Sequence, residues 1–151
     1  MDANLLADRA LCLQELMWAR NLPSCEENPQ TSLLWRLKGR ERLMRKPNVA
    51  DAVVDYCSFG TPYRARTRLR FSRCPPPRAL QDCRCKGRGI CSFSQRPHIC
   101  LTGGAGGKFM TAQKSKYQQG LAIVLARALS NAYITAIASK TWQLFSGGCA
   151  G

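Results

Sequence analysis

Acidic residues are scarce in this chain and nearly absent from most of it. Nine Asp and Glu stand against 23 Lys and Arg, for a formal net charge of +14 over 151 residues. Residues 1–55 hold eight of each sign, and beyond Asp55 the only acid is Asp82. The whole positive excess therefore lies in the C-terminal two thirds. Such one-sided charge favours a polyanion partner, most simply nucleic acid and first of all DNA. The alternatives are a solvated basic surface or one that packs on an acidic protein.

Other absences narrow the field. There is a single histidine, His98, so any imidazole chemistry falls to that residue. Nine cysteines are present, an odd number, yet no Cys-x-x-Cys pair occurs among them. The commonest zinc spacing is thereby excluded. Met1 is followed by Asp2 and an amphipathic stretch, so no secretory leader is expected and the setting is read as intracellular, the nucleus included. In such a reducing setting clustered cysteines point to metal or free thiols before disulfides. The apolar run Leu121–Ala138 is interrupted by Arg127, Asn131 and Thr135, so a soluble helix is expected there and no membrane partner. The glycine-rich stretch 103–107 departs from the phosphate-loop pattern and reads as a hinge. No internal repeat is evident.

What is present alternates helix and strand signals. Leu5, Leu6, Ala10, Leu13, Leu16 and Met17 recur at helical spacing and predict an amphipathic helix over 3–20. A strand end is expected at 24–27, a turn at Asn28-Pro29, and a helix over 33–44 capped by Thr31 or Ser32. Val49–Phe59 is rich in Val and aromatics and bounded by Gly60 and Pro62, which predicts a strand. From Thr61 to Phe71 the chain alternates strictly. Tyr63, Ala65, Thr67, Leu69 and Phe71 occupy one face, and Arg64, Arg66, Arg68 and Arg70 the other. One helical turn is expected near 78–83, a short strand at 98–101, a helix over 117–139, and a tail over 146–151. The organisation expected is one α/β domain over 1–145, with a Cys/His-rich knuckle at 74–100.

Three constellations carry chemistry. The first is Cys83-x-Cys85-x5-Cys91-x6-His98-x-Cys100. Thiolates and imidazole are the donors zinc prefers, four at a time. The ligand set chosen from it is Cys83, Cys85, Cys91 and His98, with Cys74 or Cys100 in reserve. A cysteine-rich loop with buried thiols is the competing account. The second is the arginine comb Arg64, Arg66, Arg68 and Arg70, whose guanidinium forks match phosphate oxygens. Four guanidiniums on one strand face repel one another unless an anion lies across them. The same comb can also serve as a charged edge that blocks aggregation. The third is Glu26-Glu27-Asn28-Pro29, an acid at a strand-to-helix junction.

The order of these pieces resembles the C-terminal half of phage-like and mobile-element C5-cytosine DNA methyltransferases. The segments that carry the resemblance are Glu27-Asn28-Pro29, Asp55-Tyr56-Cys57-Ser58-Phe59-Gly60, Pro62-Tyr63-Arg64-Ala65-Arg66-Thr67, the Cys-x5-Cys-x6-His stretch, and Thr111 with Tyr117. They span roughly residues 5–130. The resemblance implies a Rossmann-like sheet, S-adenosylmethionine as donor and a flipped target cytosine. It would make Glu27 the group that holds the base, and Arg64 and Arg66 the groups that support the adduct and the DNA backbone.

Departures from the pattern bear on catalysis. The family's donor-binding glycine loop and Pro-Cys nucleophile both precede its Glu-Asn motif, and neither is found in the 26 residues before Glu27. Cys12 has no adjacent proline. S-adenosylmethionine is therefore not expected to serve this chain alone, and an upstream chain would have to supply the missing half.

The resulting expectation is an α/β fold containing a partial Rossmann-like, methyltransferase-like sheet, with flanking helices and the Cys/His-rich loop as an insertion. Its expected role is a truncated, catalytically inactive methyltransferase-like domain that keeps a basic DNA-facing surface. A zinc-knuckle interaction module for nucleic acid or protein is the alternative from a different class. A nonfunctional mobile-element remnant is the third.

Overall fold

The computed structural model describes residues 3–101, 104–105, 108–109 and 118–146. Helix α1 (Ala3–Ala19) leads to strand β1 (Ser24–Pro29), a 3-10 turn (Leu33–Arg36) and helix α2 (Lys38–Met44). Strand β2 (Val49–Asp55) runs straight into a second 3-10 turn (Tyr56–Phe59), and strand β3 (Arg66–Ser72) follows. After a third turn (Arg78–Leu80) comes the Cys/His-rich segment. The two-residue strands β4 (Gly104–Ala105) and β5 (Lys108–Phe109) pair antiparallel, and helix α3 (Gln119–Ser146) follows.

β1, β3 and β2 form one sheet in that order, with both pairings antiparallel. The mixed α/β class is as the sequence predicts. The Rossmann-like arrangement is not, because it needs parallel strands joined by crossover helices. Local boundaries also move. The expected helix 33–44 breaks at Leu37, whose ψ of 132° is extended. Asn28 and Pro29 do not turn the chain but finish β1, paired with Arg68 and Thr67. The expected strand at 98–101 is not formed. Of the glycine stretch 103–107, only residues 104 and 105 are described, and they lie in β4. The tail lies outside the described residues beyond Ser146.

The sheet has two unlike faces, and their difference follows from period-two alternation. One face carries Leu69, Phe71 and Val54, all fully buried, and merges with Tyr56, Tyr63, Leu80, Leu121 and Leu125 into the core. α3 covers this face with its first turns. Truncating a residue such as Leu69 to alanine should cost about 2–5 kcal/mol. The opposite face carries Arg66, Arg68 and Arg70, flanked by Asp55, Val53 and Asp51 on β2 and by Asn28 and Glu26 on β1.

α2 covers that charged face through Arg40, which is buried and grips Glu26 at 2.7 Å. Arg40 Nη2 also donates to the carbonyl of Ala7 on α1. Because the layer below is polar, α1 meets it with Ala7 and Gln14, and its leucine stripe of Leu5, Leu6, Leu13 and Leu16 faces outward. That reverses the orientation expected from helical spacing alone. Trp18, at the end of α1, lies between Lys46 and Arg73, each 4.2 Å from its ring.

Among the described side chains, α3 packs on the core through its first half, as far as Leu129 and Ala132. Leu121 and Leu125 are buried, whereas Tyr133, Ile134 and Ile137 are exposed. Its segment Gln119–Ser139 is, among the described residues, the one helix long and apolar enough to cross a membrane by length and composition.

Candidate metal centre

Four side chains from three separated segments converge beside the end of β2. Cys57, Cys85, Cys91 and His98 place their ligand atoms within 4.8 Å of one another, with the three thiols buried and the imidazole half-buried. Cys85 Sγ and His98 Nε2 are 3.7 Å apart. A tetrahedral ion with bonds of about 2.3 Å to sulfur and 2.0 Å to nitrogen sets its donors about 3.6–3.8 Å apart. The Cys85–His98 pair has that spacing, all four donors lie within 4.8 Å, and the cluster has the chemistry to bind a metal ion.

Local structure explains the convergence. Cys57 lies in the 3-10 turn that follows β2, and that turn is closed by Gly60, whose N–H donates to the Cys57 carbonyl at 3.2 Å. Gly60 has φ of +88°, a conformation costly for any residue with a Cβ. Cys91 and His98 belong to a small hairpin. Its Cys91 N–H donates to Arg96 O at 2.8 Å, and its His98 N–H donates to Gly89 O at 3.0 Å. The hairpin is tied back to the body by Ile99 N–H on the Pro62 carbonyl. Gly87 permits the approach between Cys85 and this hairpin, since a Cβ there would collide with the Ile90 carbonyl oxygen.

A polar shell fixes Cys85. Its thiol accepts from both the backbone N–H and the hydroxyl of Ser92, at 3.3 and 3.4 Å. Its own N–H donates to Asp55 Oδ2 at 2.8 Å. Arg64 donates to the carbonyls of Cys85 and Gly87 at 3.0 and 2.9 Å. Groups around the ligands that hold them in place in this way are a usual feature of metal sites.

The thiols differ in proton affinity. Burial pushes Cys57 up to about 12, and its bonds to Cys91 and Cys85 push the same way, so it keeps its proton when no cation is bound. In Cys91 burial opposes ionisation, but N–H groups of Ser94 and Phe93 outweigh it and bring the thiol down to about 7. Burial likewise opposes ionisation of Cys85, and the Ser92 bonds overcome it, lowering that thiol below its ordinary value. Two of the three sulfurs are thus predisposed to act as thiolates.

Of the predicted ligand set, the structure brings Cys85, Cys91 and His98 together and leaves out the fourth member. Cys83 is not part of the cluster. Its thiol folds back onto the Ala79 carbonyl at 3.1 Å, and its own carbonyl accepts the Asp55 N–H. Cys74 is buried in the main core, and Cys100 is exposed outside the group. Cys57, 28 positions before Cys85, takes the place instead.

The arginine comb is also placed differently from the expectation. Its anions are supplied from within. Arg66 forks onto Asp55 with two bonds of 3.0 Å, and Arg64 Nε stands 3.4 Å from the same carboxylate. Arg70 forks onto Asp51 at 2.8 and 3.0 Å, and Arg68 lies 3.5 Å from it. Arg70 is buried, donates to the Arg40 carbonyl and stacks 4.9 Å from the Trp35 ring. It is therefore out of reach of a phosphate. Burial opposes ionisation of Asp55, but the Arg66 fork, the Cys85 N–H and the charge of Arg64 hold its carboxyl below the ordinary range.

Glu27 lies opposite Leu69, on the apolar side of the sheet, where the Tyr56 hydroxyl donates to it at 3.2 Å. Arg66 pairs with Asp55 on the other side. The base-holding and adduct-supporting roles implied by the methyltransferase resemblance are thus not brought together around one site. Comparison with protein-family models, with curated proteins and with solved structures finds no match to this chain.

Proposed function

We propose that this chain is a nucleic-acid-binding module whose basic knuckle is fastened to its sheet by one zinc ion on Cys57, Cys85, Cys91 and His98. The observation that carries this is the convergence of three buried thiols and the only histidine from three stretches of chain. Three sulfurs with one nitrogen suit zinc better than the oxygen-seeking cations. Four protein ligands leave no open position for a substrate, so the ion is structural rather than catalytic.

The nucleic-acid half rests on charge. Asp51 and Asp55 each pair with two arginines of the comb, and residues 74–100 add five basic groups against one acid, Asp82. Arg78, Arg84, Lys86, Arg88 and Arg96 are exposed, and their side chains make no hydrogen bond or ion pair among the described residues. Binding to phosphates through such groups releases counterions and weakens steeply with salt.

Protein expressed with zinc in the medium should carry one zinc per chain. Its removal by a chelator should lower the melting temperature and open the amides of residues 85–98 to hydrogen exchange. Protein free of zinc, melting identically with and without chelator, would end the proposal.

A further inference from the structure

The basic residues around the knuckle do not lie on a flat surface. Arg66, Arg84 and Lys86 line a cleft of about 680 Å³ beside the metal centre, together with Ser92 and the half-exposed ring of Phe93. That volume falls within the ~300–1,000 Å³ of small-ligand sites. Cys85, Gln81 and Asp82 complete its lining, and the last two supply the acceptors that the exocyclic amine of a base requires. Gln81 and Arg84 also line a second cleft, of about 430 Å³, which reaches Pro76 and Pro77. The two hollows have these two residues in common and so lie side by side.

Three features coincide here: cations for phosphate, an aromatic face open to solvent, and amide or carboxylate acceptors between them. A duplex hides its base faces by stacking and offers Phe93 nothing to pair with. A single strand offers a base to the ring while its phosphates meet Arg84 and Lys86. We propose that the cleft between Arg84, Lys86 and Phe93 binds one unpaired nucleotide of a single-stranded nucleic acid, with its base on the Phe93 ring. This rests on reading the knuckle as a nucleic-acid surface, and adds which form is bound and where. The site is distinct from the strand comb, of which only Arg66 contributes.

The test is fluorescence anisotropy of the zinc-loaded full chain with labelled DNA and RNA oligonucleotides of one sequence, single-stranded and as duplexes. Single strands should bind more tightly than their duplexes, and the two sugars compared show which polymer is preferred. Phe93→Ala should weaken single-strand binding about 5- to 100-fold, and Phe93→Trp should retain it. Arg84→Ala and Lys86→Ala should each reduce the salt dependence by about 0.7 in the logarithmic slope. Zinc content, measured on every variant, separates loss of binding from loss of fold.

Duplexes bound as tightly as single strands, or Phe93→Ala binding like the parent, would overturn the cleft assignment and leave the wider nucleic-acid proposal standing. Zinc-loaded protein that binds no oligonucleotide at low salt would overturn both, with the metal assignment intact.

Discussion

Asp55 accepts the backbone N–H of Cys85 at 2.8 Å while the Arg66 fork closes on the same carboxylate. One buried acid therefore pairs with two of the comb's four arginines and positions a candidate metal ligand. Sheet register makes this happen. Asp55 is the last residue of β2, directly opposite Arg66, with the Cys57 turn immediately after it.

Asp55→Asn should accordingly harm two properties at once. The side chains of Arg64 and Arg66 are 29% and 31% exposed, so water compensates part of the loss. A destabilisation of about 3 kcal/mol is expected, at the low end for a broken buried pair. Zinc affinity should fall about 10- to 100-fold, as for other groups that hold a ligand in place. Thermal melting and competition with a chelating dye measure the two separately. In the parent, the carboxyl sits below its ordinary value, so its stabilising effect is complete above that value and is lost as pH falls through the folded one. Asp55→Asn should remove this acid-side loss, and the difference between the two proteins should be flat through neutral pH.

Metal uptake should release protons, and more of them in acid than in base. At pH 8 Cys57, with its affinity raised to about 12, still holds a proton that zinc must displace, whereas Cys91, at about 7, is mostly ionised already. At pH 6 Cys91 also gives up a proton. Zinc titration in weak buffer with a pH-indicator dye counts this release. A release that does not change between these two pH values would contradict the assignment of Cys91 as a ligand.

The turn at Gly87 has no room for a side chain. Gly87→Ala forces its new methyl against the Ile90 carbonyl and must shift the backbone that carries Cys85. A loss of about 1–3 kcal/mol is expected, with weakened zinc retention. Gly89→Ala is the control, because a Cβ there meets nothing within 4 Å. Equal melting temperatures and equal zinc content for the two variants would count against the loop geometry.

Much of the secondary structure was legible because it obeys local rules. Strict alternation from Arg66 to Phe71 gave β3 and its two faces, and helical spacing gave α1. What sits over each face was not legible, because that depends on layers rather than on periodicity. The α1 leucines looked core-facing, yet the layer beneath α1 is an ion-pair network that takes Ala7 and Gln14 instead. The comb looked like a phosphate surface because Asp51 and Asp55 are distant in sequence and become neighbours only through β2–β3 register. Three residues of the cluster, Cys85, Cys91 and His98, fall inside a short Cys/His stretch. Cys57 was missed for the same reason as the aspartates: only the fold brings the end of β2 to the knuckle.

The choice between Cys57 and Cys83 tests the metal centre most directly. Zinc per chain should be measured for Cys57→Ser and Cys83→Ser after identical purification and dialysis. Cys83→Ser is predicted to keep one tightly held zinc and the parent's melting temperature, and Cys57→Ser to lose both. Retention of zinc by Cys57→Ser, or its loss from Cys83→Ser alone, would contradict the site described here.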